Sequence, residues 1–402
     1  MPHQDTRIPM PPATVVVLLS LLLGLQPVTT DLYLPALPGL TRELGAQMSQ
    51  AQLTLTALLL AFGLSQLVWG PLSDRFGRRP ILLLGMAAYV VASVGGALST
   101  NIEALIVWRI LQGAAMGAAV MCARAIVRDL YQPTEGASVM SKGLSGLGII
   151  ACATAPLGGL LTALFSWHAA LLALAVFGAI TLGLVAWRFE ETVRHKNPHA
   201  LQWATLLRTW LTILRNPTFL AFTALTVGSY CGLFTFLAAS SFVFIQILGF
   251  STTQYGLVML CMSLVYFTGT LVCRRLIPRF GVHGAVAIAG VLSATGGTLM
   301  GVLALAGVQS GWAIAIPHAI FMLGHGIHQP CSQSGAVGPF PKAAGAASAL
   351  NGFLSMIAAF AVGQWLGTHM DGSVFPLTNG IWFWGTLVAL TAWTLVQRHG
   401  KH

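Results

Sequence analysis

The sequence predicts an all-α integral membrane protein, with twelve transmembrane helices in two pseudo-symmetric six-helix bundles. Three observations predict it. The 402 residues are 56% hydrophobic and only 7% charged, whereas soluble domains run about 45–50% apolar and roughly 25% charged. Apolar runs close to the length of a bilayer-spanning helix recur along the whole chain. The two halves also repeat each other at an offset of 204 residues. Leu44, Gly45, Gln50 and Leu53 fall on Leu248, Gly249, Gln254 and Leu257, and Leu72, Arg75, Phe76 and Gly77 fall on Leu276, Arg279, Phe280 and Gly281. Parallel six-span repeats are the build of a two-bundle transporter with its site between the bundles at mid-membrane. A soluble globular fold and a disordered chain are both excluded by the composition.

The spans are expected at 14–36, 51–71, 80–99, 103–125, 138–163, 168–187, 217–240, 254–273, 283–306, 312–337, 344–367 and 376–396. The first has no A-x-A-like cleavage site after it and is too long for a signal h-region, so it is expected to be retained. The longest stretch between spans, 188–216, carries Arg188, Glu190, Glu191, Arg194, Lys196, Arg208 and Arg215. It divides the chain into an N-terminal bundle (1–187), a linker (188–216) and a C-terminal bundle (217–402). Eighteen of the 20 Lys and Arg then fall on one side, from Arg7 through Arg124, Lys142 and Lys342 to Lys401; Arg42 lies opposite and Arg109 inside a span. The positive-inside rule makes that side, with both termini and the linker, cytoplasmic. The same bias accounts for the net charge of +10 without nucleic acid as a partner. The six cysteines sit in or beside apolar runs with no CxxC pair, so they read as small packing residues.

The most specific string is Gly70-Pro71-Leu72-Ser73-Asp74-Arg75-Phe76-Gly77-Arg78-Arg79-Pro80, between spans 2 and 3. It matches the G-x-L-x-D-R-x-G-R-R signature of the major facilitator superfamily. Four further strings narrow the resemblance: Thr30 to Pro38 in span 1, Arg109-Ile110-Leu111-Gln112-Gly113 and Ala123-Arg124-Ala125-Ile126-Val127-Arg128-Asp129 in span 4, and Ala344 to Leu350 in span 11, together with Glu191-Thr192 after span 6. With these the chain resembles the Bcr/CflA drug:proton antiporters, a branch that includes chloramphenicol exporters. One motif departs: the span 5 antiporter motif usually reads G/A-P-x-x-G-G. Here, in Ala155-Pro156-Leu157-Gly158-Gly159-Leu160, the glycine pair comes one place early.

The resemblance implies the major facilitator fold in a bacterial inner membrane. It also implies proton-coupled efflux of small amphipathic drugs, multidrug or amphenicol-type, by alternating access. The expected partners are the drug, protons and the lipid bilayer, with the proton gradient in place of any cofactor, no metal, and a monomeric carrier. For the loop it implies that Asp74 meets the start of span 11 when the carrier opens outward, while Arg78 pairs with Asp129. Gly70 and Gly77 belong to the same signature, and Gly77 permits its tight turn. A purely topogenic cluster of charge is the alternative for this loop.

Asp31 is the one acid placed well within a span; the other nine fall in loops or at ends. An ionisable group there costs about 2.5–3.5 kcal/mol on insertion scales and is a functional hypothesis by default. A carboxylate alternating between a buried setting, which favours its neutral form, and a wet or cation-paired one can carry a proton. The alternative is a solvated Asp at the mouth of span 1. Arg109 is the expected partner: at 1.5 Å per residue, both lie roughly 8–9 Å in from the outer edge. Its alternative is a snorkelling Arg.

Candidates for the substrate wall are Gln26 and Tyr33 in span 1, Gln112 in span 4, and Tyr230, Phe234 and Phe236 in span 7, each of which also reads as ordinary packing. His325 and His328 share a face of span 10 at i, i+3. They read as helix–helix hydrogen bonding or, for His328, as cavity lining. A single buried acid that must carry the proton favours a neutral or zwitterionic amphipath over a dication. A metabolite carrier of the same fold, proton-coupled or facilitative, is the second reading. A membrane enzyme is disfavoured, since no nucleophile motif, carboxylate cluster or metal spacing is present.

Overall fold

The computed structural model describes residues 10–400 apart from 132, 194, 195, 197 and 199; Arg7, Arg194 and Lys401 of the charge count lie outside the described residues. The helices are α1 (Pro12–Asp31), α2 (Leu37–Glu43), α3 (Met48–Phe76), α4 (Arg78–Ala97), α5 (Ile102–Leu130), α6 (Pro133–Leu164), α7 (Trp167–Arg188), α8 (Trp203–Leu214), α9 (Pro217–Ser241), α10 (Thr252–Leu305), α11 (Gly311–Val337), α12 (Ala344–His369), α13 (Phe375–Trp393) and α14 (Leu395–His399). Among the described residues there is no strand. Ten segments are long and apolar enough to cross a membrane. One of them, α10, has 54 residues and is two spans broken at Gly281, whose φ is 67°. The twelfth span is α11: its 27 residues suffice to cross, but His318, His325, His328, Gln329 and Gln333 make it more polar than the others.

α1 and α3–α7 pack together as one bundle, and α9–α13 as the other. Their pseudo-symmetry is visible residue by residue. Gly45 and Gly249 both have positive φ, as do Gly77 and Gly281, and each pair is separated by the 204-residue offset. Capping boxes start both α3, through Gln47 and Gln50, and α10, through Ser251 and Gln254; each satisfies N–H groups that a helix start leaves unpaired. Gln26 and Tyr230 are also offset equivalents, and they meet across the interface, Gln26 Nε2 donating to the Tyr230 hydroxyl at 3.4 Å.

The bundles touch along α3–α12 and α6–α10. Small residues let the backbones approach: a Cβ on Gly256 would lie 3.0 Å from the Ala155 carbonyl oxygen. The face away from the arginine-rich loops is closed. Near it, Gln52 Nε2 donates to the Ala238 carbonyl at 2.7 Å, and Gln364 Nε2 donates to Thr56 Oγ1 at 3.3 Å. Toward the arginine-rich face, a cavity of about 670 Å³ lies between α3 and α5 on one side and α8 and α12 on the other.

Candidate functional site

α1 stops at Asp31. The chain then turns through a 3-10 segment, Leu34–Ala36, before α2, because Pro35 and Pro38 cannot donate to the preceding turn. Asp31 therefore sits where a membrane helix breaks. Thr30 Oγ1 donates to its Oδ1 at 2.8 Å. The 3-10 turn that follows it packs against α9 and α10, so Asp31 lies at the seam with the opposite bundle.

Arg109 is buried, with 1% of its surface exposed, and lies inside the N-terminal bundle. Its Nε donates to the Thr54 carbonyl at 3.2 Å, one terminal nitrogen to the Thr29 carbonyl at 3.1 Å and the other to Gln112 Oε1 at 2.6 Å. The guanidinium lies over the Tyr33 ring at 4.2 Å. Gln112 passes the network on to Ser93 Oγ at 2.6 Å, and Tyr33 and Tyr89 pair with Thr54 and Thr29. The expected ion pair with Asp31 is absent among the described residues. Equal depth did not bring the two together because Arg109 finds its acceptors on α1, α3 and its own helix. Nor does Arg109 snorkel.

The loop between α3 and α4 is a charge network. Arg78, 3% exposed, reaches Asp129 Oδ2 from Nε at 2.9 Å and Asp74 Oδ1 from a terminal nitrogen at 2.6 Å, with Ser73 Oγ also 2.6 Å away. Thr192 Oγ1 donates to the same Asp129 oxygen at 3.2 Å. Arg128 approaches Asp74 at 3.8 Å. Gly77 has φ 109°, and a side chain there would collide with the Glu191 carboxylate. Glu191 itself takes the backbone N–H groups of Arg78 and Arg79 at 2.9 and 3.1 Å, an acid on the positive end of α4. Arg75 lies over the Phe76 ring. Among the described residues Asp74 makes no hydrogen bond to α12; it and Ala343–Gly345 line opposing walls of the larger cavity.

In the span 5 motif the two glycines serve different neighbours. Gly158 faces the Leu32 carbonyl just past α1, and Gly159 the Thr252 carbonyl at the start of α10. Pro156 packs against Gly256. A second cavity, of about 70 Å³, lies deeper between the bundles; Gln66, Arg124 and Ser348 line both cavities.

The model of the Major Facilitator Superfamily matches residues 19–363. The chain belongs to the major facilitator superfamily. It is 30% identical over 348 residues to multidrug resistance protein D of Escherichia coli (strain K12), covering 85% of this chain and 86% of that protein. It is also 30% identical over 338 residues to the chloramphenicol resistance protein of Pseudomonas aeruginosa, covering 84% and 80%. The crystal structure of a D-xylose-proton symporter superposes with a TM-score of 0.78 over 97% of this chain and 99% of its own, at 16% identity, a likeness of fold.

As a major facilitator protein this chain is a multi-pass membrane transporter and not an enzyme, and its substrate is a small molecule. Of the residues expected on the substrate wall, Gln26 and Tyr230 line the deeper cavity. Tyr33 and Gln112 are instead part of the Arg109 network. Phe234 packs beside Gly363 of α12, where that helix meets Thr56 of α3, and Phe236 stacks on His318 at 3.7 Å; neither borders the two cavities. His325, not His328, lines the cavity, and its Nδ1 lies 2.7 Å from Ser229 Oγ. His328 is fully buried and borders neither cavity. Residues that the sequence reading missed include Gln66, Gln329, Gln333 and Asn351. Polar amides inside apolar spans were the signal for them. Arg124 was counted with the loops, but α5 runs on to Leu130 and holds it in the cavity wall.

Proposed function

We propose that this transporter exports small amphipathic drugs in exchange for protons, by rocking of the two bundles about the central cavity. The single observation that carries the proposal is the position of Asp31, a lone membrane acid where the first span tightens into a 3-10 turn packed against α9 and α10 of the opposite bundle. A group placed there changes its surroundings whenever the bundles move, as a coupled proton carrier requires. The names of the relatives, multidrug and chloramphenicol resistance proteins, support drugs as the cargo. The arginine-rich face is taken as cytoplasmic in a bacterial inner membrane by the positive-inside rule. The proton gradient supplies the energy, and a single chain suffices as the working unit. Arg109 acts as an anchor that holds α1, α3 and α5 in register around the proton site. Arg78, Asp129 and Asp74 form a latch, in which Asp74 exchanges part of its arginine pairing for the α12 N-terminus once the cavity collapses.

The test is overexpression in a drug-sensitive host stripped of its own exporters. Raised resistance to chloramphenicol or another amphipath is expected, with Asp31→Asn giving none. Unchanged resistance to a broad panel, with accelerated uptake of a labelled metabolite, would overturn the proposal in favour of a nutrient carrier.

A further inference from the structure

Of the three side chains that line both cavities between the bundles, Gln66, Arg124 and Ser348, one is a cation whose charge the fold leaves unanswered. Arg124 projects from α5, and its one protein partner among the described residues is the Ser348 hydroxyl of α12, at 2.9 Å. Among the described residues no carboxylate lines the deeper cavity, and none forms an ion pair with the guanidinium. The one acid of the larger cavity, Asp74, is held by Arg78 and Arg128. Around Arg124 stand the amides of Gln66, Gln329, Gln333 and Asn351. Asn351 is 4% exposed, and its Oδ1 has no partner; an amide can present either its oxygen or its NH₂ to a ligand. A guanidinium with donors to spare is a planar fork that matches a carboxylate in two parallel hydrogen bonds. Arg124 is half-buried in the cavity wall, and a cation held there without a counter-charge favours a bound anion.

We propose that Arg124 determines specificity, and that the exported amphipath is an organic anion whose carboxylate docks on it. This rests on the drug-export reading and narrows its substrate class. It also fits the energetics of antiport. A proton entering while an anion leaves moves two charges in the direction that an inside-negative potential favours. An anion therefore exploits the membrane potential, while a monocation exchanged for one proton leaves it unused.

The experiment uses the full chain in proteoliposomes with an imposed pH gradient, corrected for protein-free vesicles. Three probes are compared: nalidixate as an amphipathic carboxylate, chloramphenicol as a neutral amphipath and tetraphenylphosphonium as a cation. Expected is transport of nalidixate ahead of tetraphenylphosphonium, accelerated by an imposed potential. Arg124→Gln should slow nalidixate about tenfold or more, the loss of one charge-assisted pair, and chloramphenicol much less. Arg124→Lys should recover part of the anion rate, and both variants should melt near wild type. The anion assignment alone is overturned if chloramphenicol or tetraphenylphosphonium moves and nalidixate does not. It is also overturned if Arg124→Gln slows every probe in equal proportion. If no probe moves in wild type, drug export itself falls, and the anion assignment with it.

Discussion

Asp31 at the end of α1 and Arg109 of α5 do not pair. Arg109 holds the Thr29 and Thr54 carbonyls and Gln112 from inside the bundle, while Asp31 takes the Thr30 hydroxyl just before a turn that packs against α9 and α10 of the other bundle. The arginine fixes the wall, and the acid stands at the moving interface. The two should therefore respond differently to removal.

Arg109→Ala is expected to destabilise the protein as well as stop transport. It deletes a cation–π contact and three hydrogen bonds to a charged donor, a loss of about 3 kcal/mol or more. Thermal unfolding in detergent, run beside Asp31→Asn, checks this. A variant that melts like wild type would return Arg109 to a purely coupling role.

Glu191→Gln should cost about 1 kcal/mol, because it removes negative charge from the positive end of α4 while leaving an acceptor for the Arg78 and Arg79 N–H groups. Asp129→Asn should cost more, up to about 3 kcal/mol, since it strips a partner from the buried Arg78. Melting temperatures in that order support the network; the reverse order contradicts it.

Asp74 is half-exposed and its pairs are worth roughly 0–1 kcal/mol. Asp74→Asn should leave the melting temperature and drug affinity near wild type but lower the turnover rate. Equal binding with slower transport is the expected split. Weakened binding would place Asp74 in the substrate site rather than in a latch.

A Cβ on Gly159 would come within 2.5 Å of the Thr252 carbonyl oxygen. Gly159→Val should push α6 and α10 apart, overpacking the closed face by about 1–3 kcal/mol. Transport should fall, and maleimide labelling of Ser49→Cys at that face should rise over the same cysteine in the parent. Unchanged labelling would mean that the glycine does not hold the face shut.

The fold was legible because every layer of the sequence agreed: span-length apolar runs, a repeat that carries even its capping glutamines, and arginines on one side. The Arg78–Asp129 pair was equally legible, since both residues lie in charged strings at helix ends, where few alternatives compete. The cavity was not. Tyr33, Gln112, Phe234 and Phe236 have the chemistry of a binding wall, but a helix in a bundle buries most of its circumference, and residue type does not say which arc faces the partner bundle. Arg124 was hidden for the opposite reason, because a cation at a span's end looks like a topology signal. Glu191 lay in a family string, but its role depends on a fold that brings the end of α7 to the start of α4, more than a hundred residues apart in sequence.

The most direct test of the account follows proton flux in proteoliposomes under an imposed pH gradient, for wild type and Asp31→Asn, with chloramphenicol and an amphipathic carboxylate as drugs. The account predicts that adding drug drives proton movement in wild type and none in Asp31→Asn, with both proteins folded and melting alike. Drug-driven proton flux that survives Asp31→Asn would contradict it, as would wild-type drug transport with no proton movement.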